Sequence, residues 1–292
     1  MNILRMAILL SLAGSVFAGS PSDSWYRGAT RCPVLDLRSD PVYTLDLGFV
    51  LPSDAENGNS LSLMEWDVQT DLFYFREVLL GDLDIRMQFQ SVIPLDDAEL
   101  NLPGQLLVVA FDNRWTWRYV NDMAFQWRFE PGFYSDLDAL SLESLAMPMT
   151  FTGIKTINSS LSALAGLALR IGFEREVMPV AGVVWQPSPI FRLEALLPES
   201  RLVYHMLPEW VMHARWVWES MTYQMPGDRD NRERVTFESI LMAIGLTREI
   251  NPEFRVTGEF GLLNGREIDF GRGGSPDVDP AAYLRVGIGG SF

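Results

Sequence analysis

Apolar and polar residues alternate with a period of two along most of this chain. Between Asp82 and Gln90, Leu83, Ile85, Met87 and Phe89 are apolar, while Asp82, Asp84, Arg86, Gln88 and Gln90 are polar. A strand points successive side chains to opposite faces, so such a segment carries one apolar and one polar face. Met64, Trp66, Val68 and Leu72 repeat the pattern against Glu65, Asp67, Gln69 and Asp71. Met123, Phe125, Trp127 and Phe129 do the same, as do Phe254, Val256, Phe260 and Leu262. Trp210, Met212, Ala214, Trp216 and Trp218 share a face opposite His213, Arg215 and Glu219.

The pattern predicts strands at 42–50, 61–75, 82–93, 106–117, 122–130, 145–156, 162–173, 180–185, 190–197, 201–207, 210–223, 235–247, 254–263 and 282–292. These are fourteen strands, and merging either hairpin that contains 180–185 or 201–207 leaves twelve. A soluble sandwich also alternates, but its strands are usually five or six residues long. These are longer, and Trp and Phe gather near their ends, as in the aromatic girdles of membrane barrels. Connections after odd strands are long and those after even strands short, the loop-and-turn asymmetry of an outer-membrane barrel. Gln186-Pro-Ser-Pro189, Leu207-Pro-Glu209 and Asn251-Pro252 interrupt the pattern, because Pro has no N–H for a ladder. The predicted fold is an all-β, antiparallel, up-and-down transmembrane β-barrel.

The ends of the chain agree with that reading. Met1–Ala18 has Arg5, an apolar run from Met6 to Ala13 and the small-residue ending Val16-Phe17-Ala18, the order of a secretory signal cut before Gly19. Residues 19–41 form a lead-in, and 42–292 the barrel, which the signal sends to the bacterial outer membrane. In the last segment Leu284, Val286, Ile288, Gly290 and Phe292 share one face. An alternating apolar strand with a terminal aromatic resembles the closing strand that the barrel-insertion machinery reads, so Leu284, Val286, Ile288 and Phe292 are the candidate insertion residues.

Composition narrows the function. The formal net charge is −15 and the isoelectric point about 4.5, which excludes a nucleic-acid binder relying on a basic face. At 48% hydrophobic residues the chain is not disordered. No apolar run is long enough for a membrane helix. The single Cys32 excludes an internal disulfide framework and a cysteine zinc site.

Catalytic chemistry finds little support. The two histidines, His205 and His213, become near neighbours if 201–207 and 210–223 pair tightly, which would give a hydrolase a base. No Ser stands in a nucleophile elbow, so the expectation is no enzyme, no cofactor and no metal. Asp96-Asp97, Asp228-Arg-Asp230 and Asp277-Val-Asp279 do not match a calcium loop, and Gly271–Ser275 lacks the Lys of a phosphate loop.

More informative is the charge on the polar parities. Asp67, Asp71, Asp82, Asp84, Arg86, Arg128, Glu130, Arg170, Arg192, Glu194, His213, Arg215, Glu219, Arg255, Glu259 and Arg285 are the candidate lumen-lining residues. Such residues either pair across strands and fill the barrel or line a water-filled pore. Fourteen strands enclose more than side chains alone usually fill, which favours a pore. Within it, Asp82 and Asp84 would form an acidic stripe favouring cations unless an Arg compensates.

Glu130-Pro-Gly-Phe-Tyr-Ser-Asp136, and Pro179-Val-Ala-Gly-Val-Val-Trp-Gln-Pro187 continuing to Leu197-Pro198 and Tyr204, resemble segments of an uncharacterised bacterial family of predicted porin-like outer-membrane barrels, a domain of unknown function. The resemblance implies the architecture and supplies no activity. The leading expectation is a passive channel for small solutes set in outer-membrane lipid. The alternative is a structural or ligand-binding barrel with an occluded lumen.

Overall fold

The computed structural model describes residues 43–55, 60–78, 81–97, 100, 102–119, 122–136, 144–225, 234–251, 253–270 and 276–290. The predicted signal, the lead-in and Phe292 lie outside these residues, as do Asp228, Asp230 and Gly271–Ser275. The elements are β1 (Tyr43–Asp54), β2 (Ser60–Val78), β3 (Gly81–Asp97), β4 (Leu106–Arg118), β5 (Met123–Phe129), β6 (Gly132–Asp136), β7 (Leu145–Asn158), β8 (Leu161–Ile171), β9 (Val177–Ser188), β10 (Phe191–Leu197), β11 (Glu199–Leu207), β12 (Trp210–Gln224), β13 (Arg234–Asn251), β14 (Phe254–Asp269), β15 (Asp277–Val278) and β16 (Ala281–Gly290).

Neighbouring strands pair antiparallel, and β16 closes the sheet on β1 from Tyr43↔Gly290 to Val50↔Tyr283. β5 and β6 are one stave. Their registers on β7 and β4 are continuous, and the ladder lapses only at Glu130–Pro131 because Pro131 has no N–H to give. Its carbonyl still accepts from Phe111 N at 3.0 Å. With β15 a two-residue spur on β14, the wall has the fourteen staves that the alternation predicts.

The differences lie at strand ends. β2, β3, β9, β13 and β14 run further than the sequence pattern, since the ladder continues where the apolar period has stopped. β9 passes through Pro187 to Ser188, with a register shift on β10 absorbing it. Asp96 and Asp97 belong to the end of β3 rather than to a loop. The Glu130–Asp136 segment supplies a strand, β6.

The outer face is apolar. Leu45, Leu47, Phe111, Phe125, Phe151, Leu167, Met242, Ile244, Phe260, Leu284, Val286 and Ile288 are all exposed. Near the end with the short turns, aromatic pairs form a girdle: Phe73 on Phe75, Trp115 on Trp117, and Trp185 edge-on to Phe191. A closed antiparallel barrel with an apolar, aromatic-edged exterior is built for the bacterial outer membrane, because closure leaves no unpaired strand edge in lipid.

At the end with the long loops the cross-section changes. Ser135 of β6 forms a parallel bridge to Gln224 of β12 across the interior, and its hydroxyl donates to the Gln224 carbonyl at 3.2 Å. A second, smaller circuit results: β6, β4, β3, β2, β1, β16, β14, β13 and β12. About eight strands enclose a space that side chains just fill. This nine-strand neck is filled accordingly, by Val50, Leu61, Leu106, Val108, Tyr134, Tyr223, Val235, Leu241, Leu263 and their neighbours.

Candidate functional site

The inner face of the wall is the candidate site, and its position follows from the registers. Arg86 lies opposite Asp71 and Asp112, and Arg114 opposite Asp84 and Arg128. Glu194, Arg201 and Arg215 are consecutive, while Glu259 faces both Gly245 and Arg285. These registers bring Asp71, Asp84, Arg86, Arg128, Glu194, Arg215, Glu259 and Arg285, all from polar parities, alongside one another on this face.

Acids and arginines alternate along it. Arg86 Nε is 2.9 Å from Asp71, and its Nη2 is 3.1 Å from Asp84. Arg128 reaches Asp112 at 2.9 Å and also contacts Glu130, with Arg114 3.6 Å from the same Asp112. Arg118 is 3.3 Å from Asp82. The expected acidic stripe at Asp82 and Asp84 is therefore compensated by Arg118 and Arg86. Gln88 donates to Asp67 at 2.9 Å, and Arg192 meets Glu194 at 2.6 Å.

Glu259 is the centre of a second group. One carboxylate oxygen is 2.7 Å from His213 Nε2, and the other accepts from Arg215 at 2.9 Å. Arg285 lies 4.0 Å away and meets Asp46 at 2.5 Å. Gly245 and Gly287 make this packing feasible. A Cβ on Gly245 would lie 2.3 Å from His213 Nε2, and one on Gly287 1.9 Å from Asp46 Oδ1. His213 is 4% exposed, and its other nitrogen, Nδ1, meets no protein group among the described residues. His205 is exposed and sits opposite Val211, one step diagonally from His213 on the same face. The hairpin pairs as the sequence suggested, and His213 is bonded to Glu259 rather than to a Ser or Thr hydroxyl among the described residues.

Not all inner charge is enclosed. Arg128 keeps 41% of its side chain exposed despite its two acid partners. Glu199, Arg201 and Glu219 are exposed as well, so open space adjoins the β10–β12 side of the interior.

Above that space lies a latch. The β10–β11 hairpin ends low, at Pro198, whose carbonyl accepts from Trp218 N at 3.0 Å. Beyond Trp218, β12 has no β11 partner, and the 172–176 loop covers it instead. Arg170 donates to the Ser220 carbonyl and lies 4.3 Å over the Phe173 ring. Phe173 is buried edge-on against Tyr134 at 5.0 Å. Glu174 N donates to Thr222 at 3.3 Å. Arg175 forks onto Glu238 at 2.5 and 2.9 Å and stacks over Trp218. Partial burial, then the neighbouring Asp269 carboxyl, holds the Glu174 carboxyl above its ordinary range.

Several residues of the inner face escaped the sequence reading: Asp46, Asp112, Arg114, Arg201 and Arg266. Arg266 has the opposite parity to Glu259 and is turned inward by the register shift between Glu238 and Ile240, whereas Asp46, Asp112, Arg114 and Arg201 stand on the polar parity of their strands, which is the signal that would have found them. The apolar filling of the neck was missed as well, although it too occupies this parity.

No family model and no curated protein matches the chain, so the family resemblance of segments 130–136 and 179–187 rests on those residues alone. Among solved structures, the chain is similar to the KdgM porin in complex with disordered oligogalacturonate, with 9% identity, TM-score 0.39, and 85% of this chain and 99% of that one covered. It is also similar to the COG4313 outer membrane channel from Pseudomonas putida F1, with 10% identity, TM-score 0.44, and 85% and 95% covered. The transport unit of the autotransporter AIDA-I from Escherichia coli shows 11% identity, TM-score 0.30, and 98% and 97% covered. These are likenesses of barrel to barrel.

Proposed function

We propose that this barrel is a passive outer-membrane channel for small polar solutes. The observation that carries the reading is the open space beside Arg128, Glu199, Arg201 and Glu219, charged side chains exposed on the inner side of the wall. Space lined by both signs of charge suits hydrated solutes, because fixed charges replace part of their lost hydration. The path runs from the turn end through the wide fourteen-stave half and passes the filled neck on the β7–β11 side, under the latch. Leu284, Val286 and Ile288 engage lipid and the insertion machinery in this reading.

A second reading, a structural or binding barrel with an occluded lumen, draws on the apolar filling of the neck and on Arg170, which spans from β8 to the β12 backbone. Liposome swelling separates the two. Purified protein reconstituted into liposomes should let small sugars through faster than protein-free controls. Swelling no faster than the controls, with the barrel folded, would establish the occluded reading.

A further inference from the structure

Two neighbouring strands carry the same pair of charges in different states. Arg192 and Glu194 stand two residues apart on the inner face of β10, and Glu199 and Arg201 do so on that of β11. Two strand residues span roughly 6.5 Å, within reach of an Arg and a Glu side chain. The β10 pair is closed, at 2.6 Å. The β11 pair is open. Neither the Glu199 nor the Arg201 side chain forms an ion pair or hydrogen bond among the described residues, and both are exposed to the open space of the lumen. The charges around them are committed. Glu194, opposite Arg201 on β10, is taken by Arg192. Arg215, opposite Arg201 on β12, is held by Glu259. Arg128 is held by Asp112 and Glu130.

A closed pair presents little net field to a passing solute, whereas an open pair presents each charge separately. A solute with one charge is drawn to one end and repelled by the other. A solute with both gains at both, which is discrimination by repulsion as well as attraction. Glu219, exposed two residues beyond the Val217 that faces Glu199, reinforces the acid end. Val203 and Val217 face the same side and offer an apolar seat for a short carbon frame.

We propose that Glu199 and Arg201 form the solute-selecting site of the lumen, and that it takes small zwitterions of the amino-acid class. The solute carboxylate meets the planar donor fork of Arg201, and its ammonium donates to Glu199. Both groups are open to water, so binding is weak, as passage requires: a channel site must release what it holds. The role in passage rests on the channel reading above; the site itself does not.

The test uses the full mature barrel folded in detergent, with Cys32→Ser to remove the native thiol and Val203→Cys to place one beside Arg201. The rate of modification by a neutral methanethiosulfonate is read from the mass shift. Millimolar L-alanine should slow it several-fold. Lactate, which lacks the ammonium, and alaninamide, which lacks the carboxylate, should slow it much less. Glu199→Gln should abolish the advantage of alanine over lactate, and Arg201→Gln its advantage over alaninamide. The exchange Glu199→Arg/Arg201→Glu should restore both. Labelling needs access to the lumen and not conduction, so protection by alanine in a barrel that gives no liposome swelling would support the site and sink only the channel reading. Lactate or alaninamide protecting as well as alanine, with Glu199 and Arg201 intact, would overturn the proposal. So would labelling of the folded barrel that no solute slows, or undiminished protection by alanine in Glu199→Gln/Arg201→Gln. The comparison of the three solutes needs no substitution at the site, so it decides even where a variant fails to fold.

Discussion

Gly245 shows how a single missing methyl holds the interior together. It faces inward on β13, opposite His213 and Glu259. A Cβ there would lie within 2.7 Å of both side chains, too close for either to keep its place. Gly245→Ala should thus destabilise the barrel by about 1–3 kcal/mol, the usual cost of overpacking. Gly258 has the opposite parity on β14, and a Cβ there meets nothing within 4 Å, so Gly258→Ala should be nearly neutral. The midpoint of heat-induced gel migration measures both, and equal midpoints for the two variants would contradict this account of Gly245. Parity sorts the two faces of a strand only as far as its register runs unbroken, and the shift between Glu238 and Ile240 turns Arg266 to the face that Glu259 occupies seven residues earlier. Which acid meets which base was not legible, because pairing depends on register, and alternation is blind to a shift of two residues. Asp82 and Asp84 illustrate the gap: they share a face in the sequence, but only the register brings Arg118 and Arg86 to them.

Each strand is a two-faced object, and substitutions on adjacent residues test the faces. Met87 pairs with Phe111 on the outside, whereas Gln88 pairs with Ala110 inside and donates to Asp67. Met87→Arg should cost about 2–4 kcal/mol near mid-bilayer. Gln88→Arg puts its charge beside Asp67 and should cost much less, as read from unfolding in denaturant. The reverse order would mean that β3 is turned over. At this scale the sequence was read well, since all fourteen staves follow from period-two alternation. It was read less well where backbone bonding outlasts side-chain pattern, as in β9 through Pro187, or where Pro131 nicks a stave without shifting it. A gradient along the strands also went unread. Toward the long loops the inner parity turns apolar: Asp46, Gly48, Val50 on β1; Glu65, Leu63, Leu61 on β2; Asp112, Ala110, Val108, Leu106 on β4; Glu259, Gly261, Leu263 on β14. This trend marks the filled neck in advance.

For the whole molecule, the question is which way a solute passes a barrel that is fourteen staves wide at one end and nine at the other. One route crosses the neck, where Leu241 is 2% exposed in the apolar filling. The other goes around it, along β7–β11, where Arg170 reaches from β8 to the Ser220 carbonyl on β12. The physical difference favours the second. Opening the neck requires separating close-packed apolar side chains, whereas the bypass is blocked by a few polar contacts beside space already open at Glu219. Arg170→Ala removes the bar across the bypass and should raise single-channel conductance in planar bilayers. Leu241→Ala leaves a cavity in the neck, should cost about 2–5 kcal/mol of stability, and should leave conductance unchanged. The opposite result, conductance rising only with Leu241→Ala, would put the path through the neck. Background conductance in wild type and both variants would mean that the β6–β12 bridge and the latch seal the barrel, with the fourteen-stave half serving as a blind vestibule.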